Sequence, residues 1–156
     1  MIEIEIPGYK TLKIAHLVLD YNGTLAFDGA LIDGVKASLG ELSQMLTVHV
    51  ITADTFGSVK KALEDIDCNL ALIPLDHQDI AKLEYVKKLG CEQTVSMGNG
   101  LNDRLMLKAS ALGVAVIQGE GAANETLASA DIVCIDIKSA LSLLNNPLRL
   151  IATLRS

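Results

Sequence analysis

Six short aliphatic runs alternate with stretches whose apolar residues recur at helical spacing, and this alternation most narrows what the chain can become. The runs are His16–Asp20, Val48–Ile51, Leu70–Ile73, Thr94–Met97, Leu112–Ile117 and Ile132–Ile135. Strands separated by helices predict a parallel sheet wound through right-handed crossovers, with helices on both faces. The intervening helices are expected at Asp33 to about Leu46 with Asp33 as the cap, Phe56 to about Ile66, and Asp79–Leu89 with Ile80, Leu83, Val86 and Leu89 inward. Gly90 stands where a helix stop belongs. Further helices are expected over Leu101–Ser110, Ala122 to about Ala130, Lys138–Leu144 and Leu148–Leu154, the last with Pro147 at its first position. Ahead of the first run, Ile2–Ile6 alternates with period two, and Pro7-Gly8 turns it toward Leu12–Ile14 as a hairpin. Asp28-Gly29 marks a second, smaller hairpin within Thr24–Leu31, read as a flap over the sheet edge.

The first run ends on Asp20, and a Gly-containing turn follows at once. Open α/β sheets bind ligands at the carboxyl edge of their strands, so Asp20 is a candidate nucleophile or metal ligand. An Asx-turn with Gly23 explains the same residue without any chemistry. Other strands also end in polar residues: Thr52 and Asp54 after the second, and Asn99, Asn102 and Asp103 after the fourth, with Lys82 on the helix leading into it. Carboxylates for a hard cation, a hydroxyl and an ammonium for phosphate oxygens, and Gly-rich turns offering backbone N–H groups form the mixture that phosphoryl transfer needs. Each has a plainer role as well. Thr52 or Asp54 can cap the helix at Phe56, and Asn102 and Asp103 can start a helix. Lys87 and Lys88 fit a solvated face, Tyr85 and Met97 fit packing, and His16 and His49 fit hydrogen-bonded structural imidazoles; with His77 they offer no metal-ligand spacing.

Bulk properties bound the function. The 156 residues suffice for one domain, residues 1–156, with a real core. Aromatics make up 3% and tryptophan is absent, so aliphatic side chains fill the interior. A net charge of −6 argues against general binding to nucleic acid or to an anionic membrane. No apolar run reaches bilayer length, and no signal peptide is evident. Cys68, Cys91 and Cys134 are dispersed and read as buried, inert thiols of a cytoplasmic protein.

The segments Asp20–Leu25 (DYNGTL), Ile51–Thr55 (ITADT), Lys82 and Gly98–Asp103 (GNGLND) resemble, in order, the four motifs of the haloacid dehalogenase-like (HAD) hydrolases. The likeness is greatest to the phosphorylation domain of P-type ATPases and its small soluble relatives. It covers roughly residues 14 to 135, and four ordered motifs are far more specific than any one. The resemblance implies a three-layer, Rossmann-like α/β domain and Mg²⁺-dependent phosphohydrolase activity on a small phosphorylated substrate. It implies Asp20 as the phosphorylated nucleophile, Thr52, Ala53, Gly23 and Lys82 around the phosphate, and Asp20, the Asn22 main-chain carbonyl, Asn99 and Asp103 around the metal. Catalytic roles would fall to Asp20, Asn22 and Lys82.

Two positions depart from the family pattern. Asn22 stands where phosphatases carry an acid/base aspartate, so leaving groups that need no proton should be favoured. Asn99 removes one charge from the metal shell and should weaken Mg²⁺ binding. A slow phosphohydrolase and a non-catalytic binding or regulatory domain both fit. A generic nucleotide binder fits poorly, since no GxGxxG follows the first strand. The short gaps between motifs leave no room for a cap domain, which implies a homo-oligomer shielding the site; ion pumping is excluded.

Overall fold

The computed structural model describes residues 1–54 and 57–156. Its centre is a six-stranded parallel sheet built from β3 (His16–Asp20), β6 (Thr47–Thr52), β7 (Asn69–Leu72), β8 (Thr94–Gly98), β9 (Leu112–Val116) and β10 (Ile132–Cys134). The strand order is β10-β9-β8-β3-β6-β7. The chain therefore starts in the middle, winds outward to β7, and crosses back to β8 on the other side of β3. That reversal makes β3 the switch point of the sheet, where open α/β folds form their ligand crevice. Register completes the placement: Asp20 pairs with Ile51 and Leu19 with Met97, so Asp20, Thr52 and Gly98 finish side by side at one edge.

Two hairpins flank this core. β1 (Ile2–Ile6) and β2 (Lys10–Ile14) pair antiparallel with Ile4 opposite Leu12, and Ile4, Ile6, Leu12 and Ile14 are buried. β4 (Ala26–Phe27) and β5 (Ala30–Leu31) form the flap, turned by Asp28 and Gly29 at positive φ. No cap domain interrupts the described residues: only the flap and α1 (Val35–Leu42) lie between β3 and β6, and only α2 (Ser58–Ala62) is described between β6 and β7.

The helices form the outer layers. α1, α2, α6 (Ile137–Asn145) and α7 (Pro147–Leu154) pack with the N-terminal hairpin on one face, around Leu17, Leu19, Val48 and Val50. α3 (Gln78–Leu89), α4 (Arg104–Ala109) and α5 (Asn124–Ser129) cover the other, around Val18, Ile51, Val86, Met106 and Leu107. Pro147 opens α7 as expected, and Gly90, at φ 101, ends α3.

Several elements differ from the sequence expectation for identifiable reasons. Asp33 does not cap α1, because Gly34 in a left-handed conformation intervenes and no side chain caps the helix. The helix stops at Leu42, while Leu46 is still buried through a further turn. α2 is shorter than expected, although Leu63 and Ile66 beyond it remain buried; the expected start at Phe56 lies outside the described residues, as does Thr55 of the second motif. The segment expected as a helix from Leu101 begins as a 3₁₀ turn over Leu101–Asp103. α3 is rotated so that Lys82 and Val86 face inward, and Ile80 is left exposed. The three cysteines are free but only partly buried; burial raises the pKa of Cys68 and Cys134, which suits inert thiols.

His16, His49 and Tyr85 form a hydrogen-bonded chain on the α3 side of the sheet. His16 Nδ1 lies 3.1 Å from His49 Nε2, and His49 Nδ1 lies 2.8 Å from the Tyr85 hydroxyl. Whichever way the protons run, a neutral His49 can donate with one nitrogen and accept with the other. Burial, helped by the charge of His16, depresses its pKa to about 4. A depressed histidine pKa contributes stability that is complete above the unfolded value near 6.5 and fades as pH falls toward 4. Wild type should therefore lose more of its unfolding midpoint between pH 7 and pH 4.5 than His49→Gln does, as thermal melts across that range would measure. Parallel pH profiles for the two proteins would contradict this account.

Candidate active site

The site is assembled from three segments distant in sequence. β3 delivers Asp20, α3 delivers Lys82, and the loop after β8 delivers Asn99 and Asp103. Lys82 is 1% exposed, and its Nζ donates to Asp20 Oδ1 and to Asp103 Oδ1 at 2.7 Å each. A third, longer contact reaches Asn102 Oδ1 at 3.4 Å. Asp103 is fully buried, and its Oδ2 accepts the backbone N–H groups of Asn99 and Gly100 at 3.0 and 2.9 Å. Both Asp103 oxygens are thus engaged by the protein itself.

Asp20 keeps a second oxygen on the opposite side. The Thr24 hydroxyl lies 3.0 Å from Asp20 Oδ2 and 3.2 Å from Asn99 Oδ1. One hydroxyl proton cannot serve both acceptors at once, so two oxygens converge with a single donor between them. The orientation of Asn99 is fixed from behind, because its Nδ2 donates to Gly121 O at 2.9 Å and turns Oδ1 inward. Burial and the Asp103 charge raise the Asp20 pKa, while Lys82 and Thr24 oppose the rise. Burial works against charge on Lys82 too, but Asp20 and Asp103 outweigh it, and its pKa rises. We take Lys82 as the fixed cation, with Asp20 as the carboxylate that gains most from a further positive charge beside it.

Six of the eight candidate residues line one cavity of about 450 Å³ at this edge: Asp20, Asn22, Thr52, Ala53, Lys82 and Asn99. Gly23 and Asp103 stand behind its wall. Gly23 has φ 78, and a Cβ there would overlap the Asn99 amide, so the turn can approach only as glycine. Thr52 is buried, and its Oγ1 accepts the Asp54 N–H at 3.1 Å. Asp54 Oδ2 accepts from the Ser58 hydroxyl and the Val59 N–H at 2.8 and 3.2 Å, so the helix-start role falls to Asp54. Lys87 is exposed and paired with Glu84, and Met97 is core.

Sequence reasoning missed three supports. Thr24, within the first motif, holds the Asp20 oxygen. Gln118 clamps the motif turn, its Nε2 donating to Gly23 O and Thr24 O at 3.0 and 2.6 Å while its Oε1 accepts Ile137 N–H at 3.0 Å. Gln78 accepts from Asn102 Nδ2 at 2.7 Å across the cavity wall. The motif itself pointed to Thr24; nothing in the sequence pointed to Gln118, some ninety residues away.

Among the described residues no cluster of three or more His, Cys, Asp or Glu side chains is arranged to hold a metal. The donors that do converge are Asp20 Oδ2 and Asn99 Oδ1, with the turn at Asn22 beside them. All are oxygens, which suits a hard cation such as Mg²⁺ and gives it few negative ligands.

No family model matches the chain. Over 82 residues, 50% of this chain and 88% of the other, it is 46% identical to an uncharacterized protein of Methanocaldococcus jannaschii, and the two belong to one family. A 129-residue stretch, 78% of this chain, is 33% identical to a probable copper-exporting P-type ATPase of Archaeoglobus fulgidus, of whose length it spans 15%. Among solved structures, the 3-deoxy-D-manno-octulosonate 8-phosphate phosphatase of Moraxella catarrhalis, crystallised with magnesium and phosphate ions and KDO, superposes with a TM-score of 0.70 at 18% identity, covering 91% of this chain and 94% of that one. A HAD-superfamily hydrolase (subfamily III A) of Legionella pneumophila gives 0.67 at 22% identity, covering 90% and 87%. At such identities the structures establish the fold. The fold is that of the haloacid dehalogenase-like structures, and the four motifs and the similarity to the P-type ATPase agree with it.

Replacing Lys82 with Met should destabilise the protein by about 3 kcal/mol at pH 7, because two buried carboxylates lose the cation they share. Urea denaturation measures this; a loss under about 1 kcal/mol, the scale of an exposed ion pair, would show that the trio is not buried in solution.

Proposed function

We propose that this chain, working as one domain, is a Mg²⁺-dependent phosphohydrolase acting through an aspartyl-phosphate on Asp20. The observation that carries the reading is the Asp20 carboxylate, held on one side by Lys82 and turned on the other toward a cavity that Thr52 also lines. A carboxylate oxygen would form the bond to phosphorus as the bond to the leaving group breaks, and water would then release phosphate and regenerate Asp20. Thr52, the Ala53 main chain and Lys82 would hold the phosphoryl oxygens, with Gly23 behind them allowing the close approach. Bound Mg²⁺ would neutralise phosphoryl charge. Asp20, the Asn22 main-chain carbonyl and Asn99 are the residues that would hold it. Asp103, whose oxygens are taken, would act through Lys82 and the 99–100 backbone.

Asn22 sets the substrate preference in this proposal. Its amide cannot protonate a departing alkoxide, so acyl phosphates, phosphoanhydrides and aryl phosphates should be the better substrates. Wild type with Mg²⁺ should release phosphate from acetyl phosphate and p-nitrophenyl phosphate, and Asp20→Ala should abolish the release. Asn22→Asp should raise hydrolysis of alkyl phosphomonoesters by about 10²–10⁴-fold, the usual worth of general acid–base help. If neither substrate gives Asp20-dependent phosphate release, the enzyme reading fails and a binding or regulatory domain of the same fold stands in its place.

The open mouth also bears on assembly. β7 is an edge strand of the sheet and leaves Leu72 63% exposed close to the site. A second copy of the chain seated there would supply the shielding that no cap provides. Light scattering should give a mass above one chain; a monomer with full activity would remove this part of the proposal.

A further inference from the structure

β9 ends at Val116, and the chain then turns tightly, with the Gly121 N–H donating to Gln118 O at 2.7 Å. This turn bonds to both pieces of chain that carry the proposed metal ligands. On one side, Gln118 Nε2 donates to Gly23 O and Thr24 O of the first motif. On the other, Gly121 O accepts from Asn99 Nδ2 at 2.9 Å, and the Ala123 N–H donates to Asn99 O at 2.9 Å. One short segment therefore fixes the motif turn and Asn99 relative to each other.

The partners decide how the Gln118 amide lies. A flipped amide would set its oxygen against two carbonyls and its nitrogen against the Ile137 N–H, so the donor must face the motif turn. Within that turn, Tyr21 O accepts the N–H groups of Thr24, Leu25 and Ala26 at 3.2, 2.9 and 3.0 Å. Gln118 takes the carbonyls of Gly23 and Thr24. Among the described residues these bonds engage the carbonyls from Tyr21 to Thr24 with the exception of Asn22. Gly23 and Thr24 are buried, so without Gln118 their carbonyls would need other partners and the turn would have to shift. Thr24 also carries the hydroxyl that lies between Asp20 Oδ2 and Asn99 Oδ1, and holding its carbonyl helps to aim that hydroxyl.

We propose that Gln118 is a positioning residue for the divalent-cation site, holding the first-motif turn so that the Asn22 carbonyl stays available beside Asp20 Oδ2 and Asn99 Oδ1. The inference rests on the phosphohydrolase reading of that site and adds to it a residue that is neither a ligand nor a catalytic group. Asp20 is the one carboxylate among the three oxygens. Charge therefore attracts the cation weakly, and more of the affinity falls to the fixed placement of neutral oxygens.

Beryllofluoride, which occupies the place of a phosphoryl group on a carboxylate, reads the site without turnover. With it present, calorimetric titration of wild type with Mg²⁺ should saturate, and Asp20→Ala should abolish the signal. Gln118→Glu keeps an acceptor for Ile137 but opposes the two carbonyls, and Gln118→Met keeps the length while losing every bond. In both, the half-saturating Mg²⁺ concentration should rise about 10–100-fold, the usual cost of removing an outer-shell partner. Acetyl phosphate hydrolysis by the two variants should return toward the wild-type kcat once Mg²⁺ is saturating. Asp136→Ala supplies the comparison, because it removes the side-chain cap on Ser139 at the start of α6 and leaves the bonds of the motif turn in place. It should lower the thermal midpoint and leave the Mg²⁺ titration unchanged. Gln118 variants that lose thermal stability with a wild-type Mg²⁺ titration overturn the positioning role and leave the phosphoryl site standing. Failure of both variants to fold makes Gln118 a scaffold residue and overturns the role equally. No Asp20-dependent signal in wild type defeats the phosphohydrolase reading, and this inference with it.

Discussion

One ammonium between two carboxylates sets the terms for the rest of this molecule. Lys82 is almost wholly removed from water and lies 2.7 Å from both Asp20 and Asp103. Ions so placed lose several kcal/mol of hydration each, and only close opposite charges with further hydrogen bonds offset that loss. Asp103 meets the condition through two backbone N–H groups, Asp20 through Thr24. One ammonium does not balance two carboxylates, and burial together with the Asp103 charge accordingly raises the Asp20 pKa to about 7. Its three members come from β3, α3 and the loop after β8, and only a chain that reaches β7 and then crosses back over the sheet brings them together. The rotation of α3 follows from the same demand. Leaving Ile80 about half exposed forgoes roughly 1 kcal/mol of burial, less than leaving Asp20 and Asp103 without Lys82 would cost.

The architecture was legible because aliphatic runs and helical spacing report burial directly, and burial decides where strands lie. All six core strands and both hairpins fall within a residue or two of their expected places. Helix ends were less legible. Asp33 resembles a cap, but the left-handed Gly34 that follows moves the first turn out of its reach, a backbone property that composition does not express. The inward face of α3 was legible at Val86 and Leu89 but not at Ile80, because apolar spacing assumes that only apolar groups seek the interior and Lys82 takes part of that face. Most of the candidate site lines one cavity, since motif residues sit next to strand ends whose register fixes their neighbours. Gln118 was invisible for the opposite reason: it acts on backbone carbonyls of the first motif from just beyond β9, two strands away from β3.

The two asparagines at family aspartate positions differ in how firmly the surroundings hold them. Asn99 is buried, and its amide nitrogen satisfies the Gly121 carbonyl at 2.9 Å. An aspartate there would set an oxygen against that carbonyl and put a third carboxylate beside Asp20 and Asp103, which share one ammonium. The amide at 99 therefore belongs to this wall, its nitrogen taken by Gly121 and its oxygen fixed inward.

Asn22 is exposed at the root of the flap, and the turn around it is held by main-chain bonds, with Gly23 N–H donating to Ala26 O at 3.0 Å and Gln118 holding Gly23 O. Nothing in that scaffold requires an amide side chain at position 22. In the proposed chemistry, position 22 then governs leaving-group reactivity with little claim on the fold, whereas position 99 is constrained by packing as well as by the metal. A chain that carries amides at both positions has two separable departures from phosphatase chemistry, one written into the structure and one resting on its surface.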